Sequence, residues 1–60
     1  MIVKVLVGER KLASGDVVLS VDLLAEDGRM AGVDAAGGFK MPTRDWQAVI
    51  QKVVDAARSL

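Results

Sequence analysis

Apolar and polar residues alternate along the first half of the chain in a pattern that predicts antiparallel strands. The run from Ile2 to Val7 is rich in β-branched residues and apolar on both faces, which predicts a strand covered on two sides. A second strand is predicted from Val17 to Ala25, with one wholly apolar face and one face that is polar in its middle. We expect the apolar face to meet a helix and the mixed face to meet a partner or ligand.

Turn residues separate these strands from two weaker ones. Asp27-Gly28 predicts a tight hairpin, because both central residues of a type I′ turn need positive φ. The segment from Arg29 to Asp34 is then the returning third strand, although its small residues lower the strand propensity. After a flexible link at 35–38, we expect Phe39 to Met41 to form a short fourth strand.

The strongest single prediction is a helix that follows this strand and runs to Leu60. Pro42 disfavours a helical conformation at Met41, and Thr43 is a good N-cap whose hydroxyl can accept from the first turn. Apolar residues then recur at spacings of three and four, which predicts one buried stripe. The stripe comprises Trp46, Val49, Ile50, Val53, Ala57 and Leu60.

These elements predict an α+β fold: a four-stranded antiparallel meander with one C-terminal amphipathic helix packed on one face (ββββα). Residues 1–60 form one small domain, and a chain of this size buries only about 60% of its unfolded surface. Yet 52% of the residues are hydrophobic, and there are no cysteines to form stabilising disulfides. One helix cannot hide that much apolar surface, so we expect a homodimer, the commonest closed assembly.

The charge balance and hydropathy narrow the possible partners and compartment. Eight basic and eight acidic residues give a formal net charge of zero, which argues against broad electrostatic capture of duplex DNA or anionic membranes. No run approaches the roughly 20 apolar residues of a membrane span, and Lys4 interrupts an apolar start that is too short for a signal peptide. We expect a cytoplasmic protein.

The residue types leave little room for catalysis. The chain has no histidine, cysteine or tyrosine, and no pair of carboxylates with tuned acidity can be identified. Glu26, Asp27 and Asp34 could hold a hard cation weakly, but they match no calcium-loop spacing. We therefore expect no enzyme, no catalytic residue, no metal site, no cofactor and no small-molecule substrate.

The segment from Gly38 to Trp46 resembles part of a known family. A glycine, a short apolar stretch, a capping turn and a tryptophan that opens the last helix are similar to the positive-cofactor-four-type transcriptional coactivators. Val21-Asp22-Leu23 before the Asp27-Gly28 turn resembles that family's second strand and hairpin, so the resemblance spans residues 16–60. It implies a ββββα dimer whose sheets form grooves for single-stranded DNA, with Lys40 and Arg29 near basic positions of the family.

Two functions follow as hypotheses. The first is a dimeric module for single-stranded nucleic acid in transcription regulation, which would contact phosphates through five basic residues: Lys4, Arg10, Lys11, Arg29 and Lys40. The alternative is a protein-interaction module, such as a small regulator or inhibitor, that binds through an exposed sheet face or strand edge and binds no nucleic acid. The mixed face of the second strand discriminates them, because a nucleic-acid surface favours lysines and aromatic rings there.

Overall fold

The chain folds into three strands and one α-helix in the computed structural model, which describes residues 1–60. The strands form one antiparallel sheet in the order β1-β2-β3, and a 3₁₀ turn connects the last strand to the helix. Neither helical element is long and apolar enough to cross a membrane. The elements are β1 (Ile2–Lys11), β2 (Val17–Ala25), β3 (Met30–Ala36), the 3₁₀ turn (Gly38–Lys40) and α1 (Thr43–Arg58).

The predicted fourth strand is wrong: Phe39 and Lys40 belong to the 3₁₀ turn, so the architecture is a three-stranded meander followed by a helix. Gly37 and Gly38 both adopt positive φ, at 94° and 59°, which side-chain-bearing residues rarely adopt. A side chain at Gly38 would also collide with Glu9. The two glycines therefore bend the chain across the end of the sheet instead of continuing it as a strand.

The C-terminal amphipathic helix is confirmed, with a small difference at its start. Thr43 is the first helical residue and Pro42 occupies the N-cap position, with no side-chain capping bond. The Asp45 N–H donates to the Pro42 carbonyl at 2.9 Å, and the Asp45 charge lies in the first turn, where it suits the helix dipole. The buried stripe differs at one position from the prediction, because Ile50 is 59% exposed and Ala56 packs on the core instead.

The core lies between α1 and one face of β2 and β3. Leu19, Val21 and Leu23 are buried on β2, as the alternation predicted, and α1 contributes Val49 as its only fully buried residue. The helix packs mainly on β3 and less on β2. The centre of the core is thus displaced towards the β3 side of the sheet.

Apart from Ile2, which packs partly against it, the first strand lies outside this core. Val5, Leu6 and Val7 are between 51% and 56% exposed, and no residue of β1 is fully buried. Its only neighbour in the sheet is β2. The prediction of a strand covered on two sides is therefore wrong for the isolated chain, because α1 lies too far towards β3 to cover it.

The core predicts unequal effects for two adjacent helix positions. We expect Val49→Ala to lower the free energy of unfolding by ~1–3 kcal/mol, because it removes buried methyl groups from a core too small to refill the space. Ile50→Ala, at a position exposed in the single chain, should change the free energy of unfolding of the monomer by less than ~0.5 kcal/mol. Urea unfolding at one fixed protein concentration measures both. Equal losses for the two variants would contradict this placement of α1.

Candidate binding surface on the first strand

The outer edge of β1 carries unpaired backbone groups. Gly37 donates to the Val17 carbonyl and Ala25 donates to the Arg29 carbonyl, so the odd-numbered residues of β2 bond towards β3. The even-numbered residues of β2 therefore bond to the even-numbered residues of β1 that face them, since bonding direction alternates along a strand. It follows that the odd-numbered residues of β1 direct their N–H and C=O groups to the free edge: Val5, Val7 and Glu9.

This edge has few of the features that protect a strand from further pairing. Monomeric proteins blunt such edges with prolines, bulges, inward charges or short strands. β1 has ten residues and no proline, and its one irregularity lies between Ile2 and Lys4, at the very start. Its charged residues, which also discourage pairing, lie at Lys4 and at positions 9–11, with Glu9 on the helix side, so the stretch from Val5 to Gly8 is uncharged. The other free edge belongs to β3, which is shorter and contains Gly32 and Asp34, both poor strand formers. β1 is therefore the edge better suited to pairing.

Exposed apolar side chains accompany the edge on the helix side. Val5 and Val7 face the same side of the sheet as Leu23 and Val21, with which they pair across the ladder. α1 covers those two β2 residues but leaves Val5 and Val7 exposed. The helix itself exposes Ile50 and Val54. We call the surface formed by Val5, Val7, Ile50 and Val54 the β1 trough.

The direction of α1 fixes which way its exposed flank points. The 3₁₀ turn packs on β2 near Val17, whereas Leu60 accepts a 2.6 Å hydrogen bond from Arg29 at the opposite end of the sheet. α1 therefore runs parallel to β2. Consider the sheet viewed from the helix side, with β2 running upward. Because the residues are L-amino acids, those β2 residues whose side chains point to the viewer direct their backbone N–H and C=O groups to the right, and these groups bond to β3. β1 is then on the left.

Helix handedness completes the argument. In the same view, α1 runs upward in front of the sheet and its buried residues point away from the viewer. Each following residue of a right-handed helix is rotated by about 100°, so the residue after a buried one points to the left. Ile50 follows the buried Val49 by that angle, and Val54 lies one turn further along the same flank. Both exposed side chains therefore stand on the β1 side of the helix, above the same face of the sheet as Val5 and Val7.

The two aromatic rings lie beside the helix start and away from the outer face of the sheet. Phe39 and Trp46 stack with their ring centroids 6.2 Å apart and their planes at 29°. Phe39 sits in the 3₁₀ turn, which packs on β2 and β1, and about half of its surface is exposed. Trp46 packs partly against the core, so the sequence interpretation of this ring as a core anchor agrees with its position.

The outer face of the sheet is mixed, as the sequence predicted, and its charges cancel. Lys4 and Arg10 of β1 share this face with Asp22 of β2 and Asp34 of β3. Arg10 forms a salt bridge to Asp34 across the intervening strand. Gly32 leaves room for the Asp22 carboxylate, which a side chain there would crowd at 3.0 Å. This face offers no aromatic ring and no excess positive charge.

The five basic residues predicted to contact phosphates do not form one patch. Arg10, Lys11 and Lys40 lie towards the end of the sheet where the 3₁₀ turn packs, and Arg29 lies in the hairpin at the opposite end. Lys4 and Arg10 share a face but are six positions apart on β1, roughly 20 Å along an extended strand. Phosphate binding by these residues stays a prediction, with Arg10, Lys11 and Lys40 as the largest group.

Arg29 is engaged in contacts within the chain. Its backbone N–H donates to Asp27 at 3.0 Å, its Nε donates to the same carboxylate at 2.7 Å, and its guanidinium reaches the Leu60 carbonyl. The backbone bond first, and then the side-chain bond, hold the pKa of Asp27 below its ordinary value. Arg29 thus connects the hairpin to the end of α1.

The Asp27 contacts predict a pH dependence. A carboxyl whose pKa is lower in the folded state contributes stability above its unfolded pKa, and this contribution is lost as pH falls through the folded value. We expect wild-type protein to lose more stability than Asp27→Asn on acidification below about pH 4. Carboxyl NMR titration and urea unfolding at several pH values measure this. An Asp27 carboxyl whose pKa is not lowered from its ordinary value would contradict the structure.

Neither catalysis nor metal binding gains support from the geometry. No three acidic side chains converge, so Glu26, Asp27 and Asp34 do not form a cation site, and no pocket indents the surface. A comparison with family models, curated proteins and solved structures finds no match for this chain. The function must therefore be inferred from the exposed surfaces themselves.

Sequence reasoning did not identify the β1 trough or its residues as a site. One signal was present: the run from Ile2 to Val7 is apolar on both faces, although the chain has only one helix to cover the sheet. That signal predicted an unsatisfied surface somewhere in the fold. It could not place the surface, because the sideways position of α1 on the sheet is not encoded in the periodicity of the helix.

Proposed function

We propose that this protein is a non-enzymatic protein-interaction module that binds its partner through β1. The observation that carries the proposal is the combination of a free edge and apolar side chains exposed on both faces of one strand. Exposed apolar residues grouped on one strand in this way are typical of protein contacts. The neutral charge of the chain agrees with a partner that is recognised by backbone pairing and apolar packing.

Strand addition accounts for how the surface would bind. A partner strand aligned antiparallel to β1 would exchange backbone hydrogen bonds with Val5, Val7 and Glu9, whose groups point outward. Every second side chain of that strand would face the helix side and could extend into the β1 trough. Backbone bonds would supply affinity, and the valine floor and isoleucine flank would select apolar side chains at alternate positions.

Selection from a random peptide library tests this mode of binding. We expect enriched peptides to alternate apolar and polar residues and to bind wild-type protein. Val7→Lys should weaken their binding at least tenfold, because a charge would replace an apolar contact in the trough. The matched control is Met30→Lys, at an exposed position of β3 away from the β1 edge.

Two results would contradict the proposal. Peptides that bind equally well to Val7→Lys and to wild-type protein would show that β1 is not the contact surface. A library that yields no binder to a chain that sediments as a monomer, with the fold of both variants intact by circular dichroism, would remove the support for strand addition.

Binding of single-stranded DNA is the second candidate, because Arg10, Lys11 and Lys40 lie at one end of the sheet. Each neutralised phosphate of a single strand contributes about −0.7 to the slope of log K against log salt, so three contacts give a slope of roughly −2. Such binding would be weak and salt-sensitive. The outer face of the sheet argues against this function, because the positive charges of Lys4 and Arg10 are balanced there by the carboxylates of Asp22 and Asp34.

Fluorescence anisotropy with labelled single-stranded DNA separates the two candidates. If β1 binds protein and the basic residues serve only solubility, we expect no saturable binding at low salt. Saturable binding that weakens with salt at a slope near −2, survives Val7→Lys and is lost on Lys11→Ala with Lys40→Ala would instead favour the nucleic-acid function.

A further inference from the structure

We propose that the partner of β1 is a second copy of this chain, paired edge to edge and antiparallel about a two-fold axis that passes beside Leu6. This inference rests on the proposed function, since it names the partner for the same surface. The charged and apolar residues of β1 favour one register between the two copies of the strand.

Symmetry restricts the registers that are possible. A two-fold axis that relates two antiparallel strands of one sheet is perpendicular to that sheet, so both copies of α1 lie on the same face. Residues directly opposite each other share a face. Side chains on the helix side, such as Val5 and Val7, can therefore oppose only one another. Each allowed register places one residue opposite its own copy.

Registers centred on Val5, Leu6, Val7 or Gly8 all pair part of the regular segment 4–11 of β1, and their charges distinguish them. A register centred on Gly8 places Lys11, Arg10 and Glu9 of the second copy opposite the apolar residues at positions 5–7. A register centred on Val7 places Lys4 opposite Arg10 of the second copy, twice by symmetry, and places Val5 opposite Glu9. A register centred on Val5 places Lys4 opposite Leu6. Like charges directly opposite each other destabilise a sheet, as does a charge facing an apolar residue.

The register centred on Leu6 avoids all of these pairings over residues 4–8. Its charge–apolar pairs, Val3 with Glu9 and Ile2 with Arg10, fall at the irregular start of β1. Leu6 meets Leu6 of the second copy, Val5 meets Val7, and Lys4 faces Gly8, which has open space around it. Val5 and Val7 direct their backbone groups outward, so each would exchange two hydrogen bonds with the second copy. Leu6 forms the narrow, non-hydrogen-bonded pair between them. The strand is thus complementary to itself in backbone and in side chains.

The dimer would also cover apolar side chains that are exposed in the single chain. The valines at positions 5 and 7 of both copies would form one apolar floor on the helix side, flanked by Ile50 and Val54 of each copy. The three-stranded sheet of each copy would join into one sheet of six strands whose remaining edges are the shorter β3 strands. A chain with zero net charge has no overall repulsion to oppose this association.

Single-cysteine variants test the register, because the natural chain has no cysteine. Opposed residues of a non-hydrogen-bonded pair have Cα atoms ~4.5 Å apart, within the range that a disulfide spans. We expect Leu6→Cys to form a disulfide-linked dimer on mild oxidation. Neither Lys4→Cys nor Gly8→Cys should form a disulfide-linked dimer by itself, but a mixture of the two variants should form a disulfide between one variant and the other. The register would be overturned if Val7→Cys formed a disulfide-linked dimer and Leu6→Cys did not.

Analytical ultracentrifugation tests whether the pairing exists without a covalent link. Wild-type protein should sediment as a dimer at micromolar concentration, and Leu6→Lys should weaken dimerisation roughly a hundredfold by placing two charges at the centre of the pairing. Leu6 is half exposed in the single chain, so this variant should keep its fold, which circular dichroism checks. Met30→Lys, on the same outer face of β3, should remain a dimer.

The outcomes separate this inference from the proposed function. A wild-type chain that stays monomeric at millimolar concentration while selected peptides still bind β1 overturns the homodimer alone. A monomer that also binds no peptide overturns both. A dimer unaffected by Leu6→Lys overturns the β1 contact and places the association on another surface.

Discussion

The fold depends on the packing of one helix against two of the three strands. Leu19, Val21 and Leu23 of β2 receive α1 through Val49, with β3 completing the core. Sixty residues allow only one such core, and the helix that builds it is displaced towards β3. The exposure of β1, its free edge and the trough beside it all follow from that displacement.

The functional interpretation depends on how the exposed groups are distributed. The basic residues lie at both ends of the sheet and on both of its faces, and several are engaged: Arg10 with Asp34, and Arg29 with Asp27 and Leu60. The apolar residues, in contrast, are adjacent on one strand and one helix flank. A surface built in this way is better suited to packing and backbone pairing than to following a phosphate chain.

The elements that the sequence predicted well are those decided by local chemistry. The helix after Pro42, the alternation of β2 and the hairpin at Asp27-Gly28 depend on neighbouring residues, and all three elements occur in the structure. The predicted type I′ turn is wrong, because only Gly28 of its two central residues has positive φ and the loop spans residues 26–29. The fourth strand was wrong because the conformation of Phe39 to Met41 is decided by the positive φ of Gly37 and Gly38, which their sequence allows but does not require.

The candidate site was harder to predict, because it depends on the relative position of elements. Periodicity placed Ile50 on the buried stripe, and only the sideways placement of α1 explains why it is exposed while Val49 is buried. In the same way, alternation predicted apolar residues on both faces of β1 but could not tell that the helix would leave them uncovered. The five basic residues were chosen from sequence without knowing that the sheet separates them.

The attachment of β1 through a single ladder has a consequence for the motions of the molecule. β2, β3 and α1 share buried side chains, so they open together, whereas β1 is held mainly by hydrogen bonds to β2, with Ile2 packed partly against the core and Arg10 paired with Asp34. Segments with few buried apolar contacts detach at lower free energy than the global unfolding transition. β1 is therefore the segment expected to detach from the sheet first. A partner bound along β1 would oppose this partial unfolding.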